Sequence, residues 1–210
     1  MVREAAAQEI AALWLATLQR ALGRASHDVK DALNGVSVNL EVIRSRAARP
    51  DTPAKAVAQF GDAAGHQLER LTTLIEAVLA LARSEREPAD VAVTLRRVGT
   101  LCGASAASSD AAIRVDVDSM LESALTRISG DVVRLALAAP LLEFVASTDR
   151  FTPASDITCT LGGSEEAVRV VISAADRRAT MPEGIADAVR AAGVRWTEGE
   201  LDLTLIFPRA

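Results

Sequence analysis

One histidine, His27, lies among ionisable side chains at helical spacing within residues 25–36, which read ASHDVKDALNGV. His27 precedes the apolar Val29 by two positions, which puts it about 200° around a helix from the apolar stripe, so the ring is expected to face water. An exposed imidazole is one of the few side chains that can accept a phosphoryl group and pass it on. The residue types and their spacing therefore allow phosphoryl-transfer chemistry at His27.

The neighbours of His27 supply the groups that such chemistry needs. The residues on its helix face or within about two turns of it are Arg20, Arg24, Asp28, Lys30, Asp31 and Asn34. The cations are suited to holding phosphate oxygens, and either Asp28 or Asp31 is suited to fixing the ring tautomer, which keeps the other nitrogen nucleophilic. The alternative is a solvated helix face on which a histidine happens to occur. A hydrolase triad of Ser26, His27 and Asp28 is excluded, because adjacent helix positions point about 100° apart.

Two long amphipathic helices position these residues. Residues 3–47 contain no proline, and their apolar residues recur in steps of three, four or seven, as on one helix face. That stripe comprises Leu15, Leu18, Leu22, Val29, Leu33, Val36, Leu40 and Ile43. A break at residues 49–53 contains two prolines and precedes a second stripe, formed by Val57, Phe60, Ala64, Leu68, Leu71, Ile75, Val78 and Ala82. The pattern predicts an antiparallel helical hairpin over residues 1–88.

The apolar faces of this hairpin are wider than the two helices can cover by themselves. Pairing with a second copy of the chain, which would build a four-helix bundle in a homodimer, is the favoured prediction. The alternative is that the hairpin packs on the C-terminal part of its own chain.

Residues 89–210 differ in pattern from residues 1–88, because short predicted strands and short predicted helices replace the two long helices. Strands are predicted at residues 113–118, 125–128, 157–161, 168–172 and 201–207, and helices at 92–107, 131–146 and 183–192. Pro140 is expected to interrupt the second of these helices, and Gly162 and Gly163 are typical of a β-hairpin turn. The predicted fold class is therefore α+β, with the helical hairpin followed by an α/β sandwich.

Composition and charge exclude several classes of function. The net charge is −5 and no part of the chain is strongly basic, which argues against a nucleic-acid partner. No apolar run approaches the roughly 18 residues of a membrane span, and no signal peptide is evident, so a cytoplasmic location is expected.

Cys102 and Cys159 form no CxxC pair and are predicted to be buried thiols. His66 lies about 14 Å along the hairpin from the level of His27, too far for a shared metal site.

The residues around the histidine resemble the phosphoacceptor box of two-component sensor histidine kinases. The segment HDVK at residues 27–30 matches the histidine, the acid and the basic position of that box, and Leu33 matches its usual leucine. Asp31 stands where the family commonly has Asn or Thr, and Ala32 stands where it often has Pro. The family's helical hairpin is similar to residues 1–88 as a whole.

The resemblance extends, more weakly, to the ATP-binding domain of these kinases. Residues 130–146 look like the helix that begins the family's nucleotide pocket, but Ala139 and Glu143 stand at the positions of its Mg²⁺- and phosphate-holding asparagines. The family motif Asp-x-Gly-x-Gly is DRRAT at residues 176–180, so the aspartate is retained and both glycines are lost. A glycine-rich lid is also missing from the sequence. Autophosphorylation from ATP is therefore not expected.

Both halves together resemble the dimeric bacterial histidine phosphotransferases, which join a kinase-like hairpin to a degenerate ATPase-like domain, here residues 89–210. The resemblance implies that His27 carries phosphate between receiver-domain aspartates of response regulators, with no bound cofactor or metal in this chain and Mg²⁺ in the receiver. Asp28 and Asp31 are the expected catalytic acids, and the expected phosphate or partner contacts are Arg20, Arg24, Lys30 and Asn34. Two alternatives stay open. One is a non-catalytic scaffold or pseudokinase that binds a receiver or a sensor kinase, and the other is a sensor kinase with a divergent ATP site.

Overall fold

The N-terminal part of the chain is a long helical hairpin, as predicted. The computed structural model describes residues 2–49, 53–83, 88–106, 113–119, 121, 123–146 and 156–210. Helix α1 (Val2–Ala47) and helix α2 (Lys55–Ala82) form the hairpin. Of the predicted break at 49–53, residues 50–52 lie outside the described residues, and so do residues 84–87, just before the predicted end of the hairpin at residue 88. Within the described ranges, no helix is both long enough and apolar enough to cross a membrane.

The C-terminal part is a mixed sheet covered on one face by helices, which confirms the α+β fold class. Its elements are β1 (Ala89–Asp90), α3 (Val91–Ala106), β2 (Ile113–Val117), β3 (Leu125–Thr126), α4 (Gly130–Ala146), β4 (Ile157–Gly163), β5 (Ala167–Ser173), α5 (Glu183–Ala191), β6 (Arg195–Glu198) and β7 (Asp202–Pro208). The five-stranded sheet has the order β2-β4-β5-β7-β6. Strand β2 pairs with β4 in parallel and the remaining pairs are antiparallel, while β1 and β3 form a separate two-stranded ladder.

Three local features differ from the sequence prediction. Gly162 belongs to strand β4, and the hairpin turn follows it, where the Ser164 amide donates to the Ala167 carbonyl at 2.9 Å. Pro140 does not interrupt α4, because the middle of this helix is buried on all sides and packing outweighs one missing hydrogen bond. Strand β6 was not predicted, since it is short and mostly polar and forms only by pairing with β7.

One end of the hairpin packs on the C-terminal part of the same chain. Buried residues of α1 and α2 belong to the same apolar cluster as α3, α4 and the sheet: Ile10, Trp14, Leu18, Ala21, Ala25, Leu74 and Leu81. The predicted stripe of α1 is therefore only partly covered by this chain, because its members Leu15, Leu33 and Leu40 are 55%, 47% and 54% exposed. Helix α1 carries two apolar arcs, and this chain covers only the one that contains Trp14.

A buried arginine joins three helices at this contact. Arg134 of α4 is 1% exposed, and its Nη1 donates to the Leu81 carbonyl near the end of α2 at 3.0 Å. The same guanidinium lies 3.1 Å from an Asp131 oxygen and 5.9 Å from the ring centroid of Trp14 on α1. Because a buried charge is stable only with close partners, Arg134 ties the hairpin to α4 in one arrangement.

Both cysteines are buried thiols, as predicted. Cys102 lies on α3 and Cys159 on β4, and neither side chain reaches the surface. Burial raises the pKa of the Cys159 thiol to about 12, so this group stays protonated. The two residues therefore act as small apolar side chains in the core.

Candidate functional site

His27 lies on the exposed face of α1, as the periodicity predicts. Its side chain is 75% exposed, and Nδ1 lies 2.9 Å from Oδ2 of Asp31, one helical turn further along. In a neutral imidazole this contact holds the proton on Nδ1 and leaves the lone pair on Nε2. The ring is therefore oriented by an acid on one side and presents a nucleophilic nitrogen on the other.

The second acid, Asp28, is directed at helix α2 instead. Its Oδ2 lies 2.7 Å from Nη2 of Arg70, and its side chain is only 13% exposed. Burial raises the pKa of Asp28, while the neighbouring Arg70 opposes this rise. Of the two acids that the sequence left open, Asp31 contacts the imidazole and Asp28 holds an arginine.

The predicted phosphate or partner contacts on α1 have different surroundings, and none of these surroundings tests their role. Arg24 donates from Nη1 to the Leu142 carbonyl of α4 at 2.7 Å, so it fastens α1 to the C-terminal part. Arg20 borders a groove that also contains Glu143 of α4. Lys30 and Asn34 are exposed on α1, and their role as phosphate or partner contacts stays a prediction.

Arg70 is the residue that the sequence analysis missed. It is separated from Asp28 by 42 positions along the chain, and only the register of the hairpin brings the two together. A turn centred near residue 51 does place Arg70 within about two helical turns of the level of the histidine. The sequence feature that could have revealed Arg70 is therefore a charge opposite to that of Asp28, on the facing helix and at nearly the same level along the hairpin.

A small polar recess lies beside Asp31, the acid that contacts the imidazole. Its volume is about 200 Å³, and it is lined by Asp28, Asp31, Ala32, Gln67 and Arg70. A methyl group at Gly35 would collide with the amide of Gln67, so the absence of a side chain at Gly35 leaves room for Gln67 to point inward. Asp28 and Arg70 also line a larger groove of about 580 Å³ between the hairpin, α3 and β2.

The segment that stands where kinases have their glycine motif is held by side chains. Arg177 bonds to its neighbour Asp176 at 2.8 Å, and its guanidinium lies 5.8 Å from the ring centroid of Phe144 on α4. Arg178 lies 3.4 Å from an oxygen of Glu198 on β6, and the other oxygen of this carboxylate accepts the Met181 amide at 3.0 Å. Both arginines are thus held by acidic side chains, and Arg178 is the residue at the first of the two aligned glycine positions.

The two aligned asparagine positions on α4 also lack the amide groups of the kinases. Ala139 is fully buried in the core, and Glu143 is exposed near the end of the helix. A buried methyl group coordinates nothing, and a carboxylate repels phosphate.

Comparisons with known proteins give structural similarity without sequence similarity. Neither protein-family models nor curated protein sequences match the chain. Among solved structures, the Acinetobacter baumannii histidine kinase AdeS is 13% identical, with 87% of this chain and 97% of that chain covered and a TM-score of 0.44. Histidine kinase ThkA, solved in complex with response regulator protein TrrA, is 13% identical over 93% of this chain and 63% of that chain, with a TM-score of 0.44. A bacterial phosphotransferase is 14% identical over 91% and 95%, with a TM-score of 0.42. At TM-scores below 0.5, these similarities establish nothing about activity.

Proposed function

We propose that this protein is a histidine phosphotransferase that carries a phosphoryl group on His27 between receiver-domain aspartates of response regulators. The observation that carries the proposal is the imidazole itself, 75% exposed, with Nδ1 held by Asp31 at 2.9 Å. The resemblance of residues 27–30 to a phosphoacceptor box supports the same role.

The proposed step is an in-line transfer between an acyl phosphate and the imidazole. The Nε2 lone pair attacks phosphorus, the bond from phosphorus to the receiver carboxylate oxygen breaks, and the aspartate leaves as a carboxylate. The ring becomes cationic, and Asp31 stabilises the proton on Nδ1. Transfer to the next receiver is the reverse reaction. Mg²⁺ in the receiver is expected to neutralise the phosphoryl oxygens.

The exposure of His27 requires a partner surface that covers it during transfer. Water would otherwise compete with the imidazole for the aspartyl phosphate and hydrolyse it. A protein donor fits this requirement better than a small molecule, because the imidazole stands 75% exposed on a helix face and needs a surface to cover it.

The test of the proposal is incubation with a receiver domain that carries labelled aspartyl phosphate. We expect the label to move to this chain and to show the acid lability of phosphohistidine, with the label lost from the receiver at a matching rate. Binding of the receiver without loss of its label would favour the scaffold alternative instead.

ATP is not the expected phosphate donor. We predict that ATP with Mg²⁺ neither binds tightly nor labels the protein, because Arg178 and Thr180 stand at the glycine positions of the kinase motif and Arg178 is held by Glu198. Titration calorimetry and incubation with radiolabelled ATP measure the two parts of this prediction. Micromolar binding, or label on His27 from ATP alone, would instead make the protein a kinase with a divergent site.

We also propose that the working unit is a homodimer. Apolar side chains are exposed along one arc of each helix of the hairpin: Leu15, Leu33 and Leu40 on α1, and Leu68, Ile75 and Leu79 on α2. The spacing within each group is that of a single helix face. The C-terminal part of the chain covers a different arc and leaves these side chains exposed. The hairpin of a second copy of the chain is the simplest surface to bury them, and the resulting assembly is a four-helix bundle.

A further inference from the structure

We infer that Arg70 is a phosphate-binding residue, which holds phosphoryl oxygens on His27, and that Asp28 positions it. This inference rests on the proposed function and adds to it a cation from the facing helix. Arg70 and Asp31 line the same recess of about 200 Å³, and Asp31 is the acid that contacts the imidazole. The guanidinium and the acid that contacts the reactive ring therefore border one small space.

The contact with Asp28 places Arg70 without using up its donors. One nitrogen, Nη2, lies 2.7 Å from the Asp28 carboxylate, and the arginine side chain remains 60% exposed. A guanidinium carries five N–H donors in a planar fork that matches two phosphate oxygens. The remaining donors are free to bind a phosphoryl group while the carboxylate keeps the fork beside the recess.

The charges of the recess also require a cation there. Two of its lining residues, Asp28 and Asp31, are acids, and two carboxylates would repel an incoming phosphoryl group. Asp31 is balanced by the imidazole, whose charge becomes positive on phosphorylation. Arg70 balances Asp28, and it is the cation among the residues that line this recess.

The predicted cations of α1 are less well placed for this role. Arg24 is bonded to the Leu142 carbonyl of α4, and Arg20 borders a different groove, which Glu143 also lines. Neither of them lines the recess that contains Asp31.

The experiment uses phosphoramidate, a small donor that phosphorylates histidine without any receiver. The Nε2 lone pair of His27 attacks phosphorus, the phosphorus–nitrogen bond breaks, and ammonia leaves with a proton from the medium. The rate of labelling of His27 is measured for the full chain and for Arg70→Ala, Arg70→Lys, Asp28→Asn and the double variant Asp28→Asn/Arg70→Ala. Arg44→Ala, which removes an exposed arginine near the far end of α1, is the matched control.

We expect Arg70→Ala to slow labelling by about tenfold to 100-fold, which is the effect of losing charge-assisted hydrogen bonds. Arg70→Lys should retain part of the rate, because it keeps the charge and loses the fork. Asp28→Asn should slow labelling a few-fold by loosening Arg70, and Arg44→Ala should match the parent. The double variant should be as slow as Arg70→Ala alone, and this result separates phosphate binding from mere neutralisation of Asp28.

Two outcomes would overturn the inference. One is a parental rate in Arg70→Ala, and the other is recovery of the parental rate in the double variant, which would show that Arg70 only neutralises Asp28. The proposed function fails separately. If the parent is labelled by phosphoramidate but never exchanges label with a phosphorylated receiver, the Arg70 result still holds and the relay role does not.

Discussion

Replacing His27 with alanine is expected to abolish phosphoryl transfer while the fold and the binding of the receiver stay nearly intact. The imidazole supplies the attacking nitrogen, and no other described residue beside the recess offers a comparable nucleophile. Because the side chain is 75% exposed, its removal leaves no core cavity, and such changes usually alter stability by less than about 0.5 kcal/mol. The measurement is loss of label from a phosphorylated receiver, together with thermal unfolding of the variant.

Asp31→Asn is expected to reduce the transfer rate less than His27→Ala does. The amide oxygen can still accept the Nδ1 proton, but it does not stabilise the cationic ring that forms during transfer, so we expect a slower rate rather than none. Receiver binding, measured by calorimetry, should be unchanged in both variants and serves as the control for docking. If His27→Ala still relays phosphate as the parent does, the phosphotransferase proposal is wrong and the scaffold alternative takes its place.

Replacing Ile75 with aspartate is expected to convert the proposed dimer into a monomer. Ile75 is 47% exposed in the single chain and lies midway along the apolar arc of α2, so in a four-helix bundle it would be buried against the second copy. Each dimer would then bury two unpaired carboxylates, and each of these costs several kcal/mol. Light scattering at micromolar concentration should give twice the single-chain mass of 22.1 kDa for the parent and the single-chain mass for the variant.

His66→Asp is the matched control for this experiment. His66 is exposed on the same helix, and it lies nine residues from Ile75, or about half a turn around the helix axis, so it is off the apolar arc. A parent that already runs as a monomer, or an Ile75→Asp protein that stays dimeric, would contradict the proposal. Leu71 is a poorer target, because it lines the groove beside α3 and a charge there would disturb the chain's own fold.

The sequence by itself determined the local parts of the candidate site. The exposure of His27 and the position of Asp31 on the same face follow from helical spacing alone, because residues four apart lie on one face of a helix. The sequence left open whether Asp28 or Asp31 contacts the ring, and the structure decides for Asp31. The hairpin was likewise predictable, because two proline-free apolar repeats flank a break that contains two prolines. The α+β class followed from short alternating segments separated by turns.

Only the tertiary structure decided which distant groups meet. Asp28 pairs with Arg70 across the hairpin, and Arg24 pairs with a carbonyl 118 positions away. These contacts depend on the register of two helices and on how the hairpin packs against α4, and no periodicity encodes either one. The same reason applies to α1, which carries two apolar arcs. The sequence shows that both arcs of α1 are apolar and are expected to be buried. The packing of Trp14 against α4 decides which arc is buried within the chain and which stays exposed.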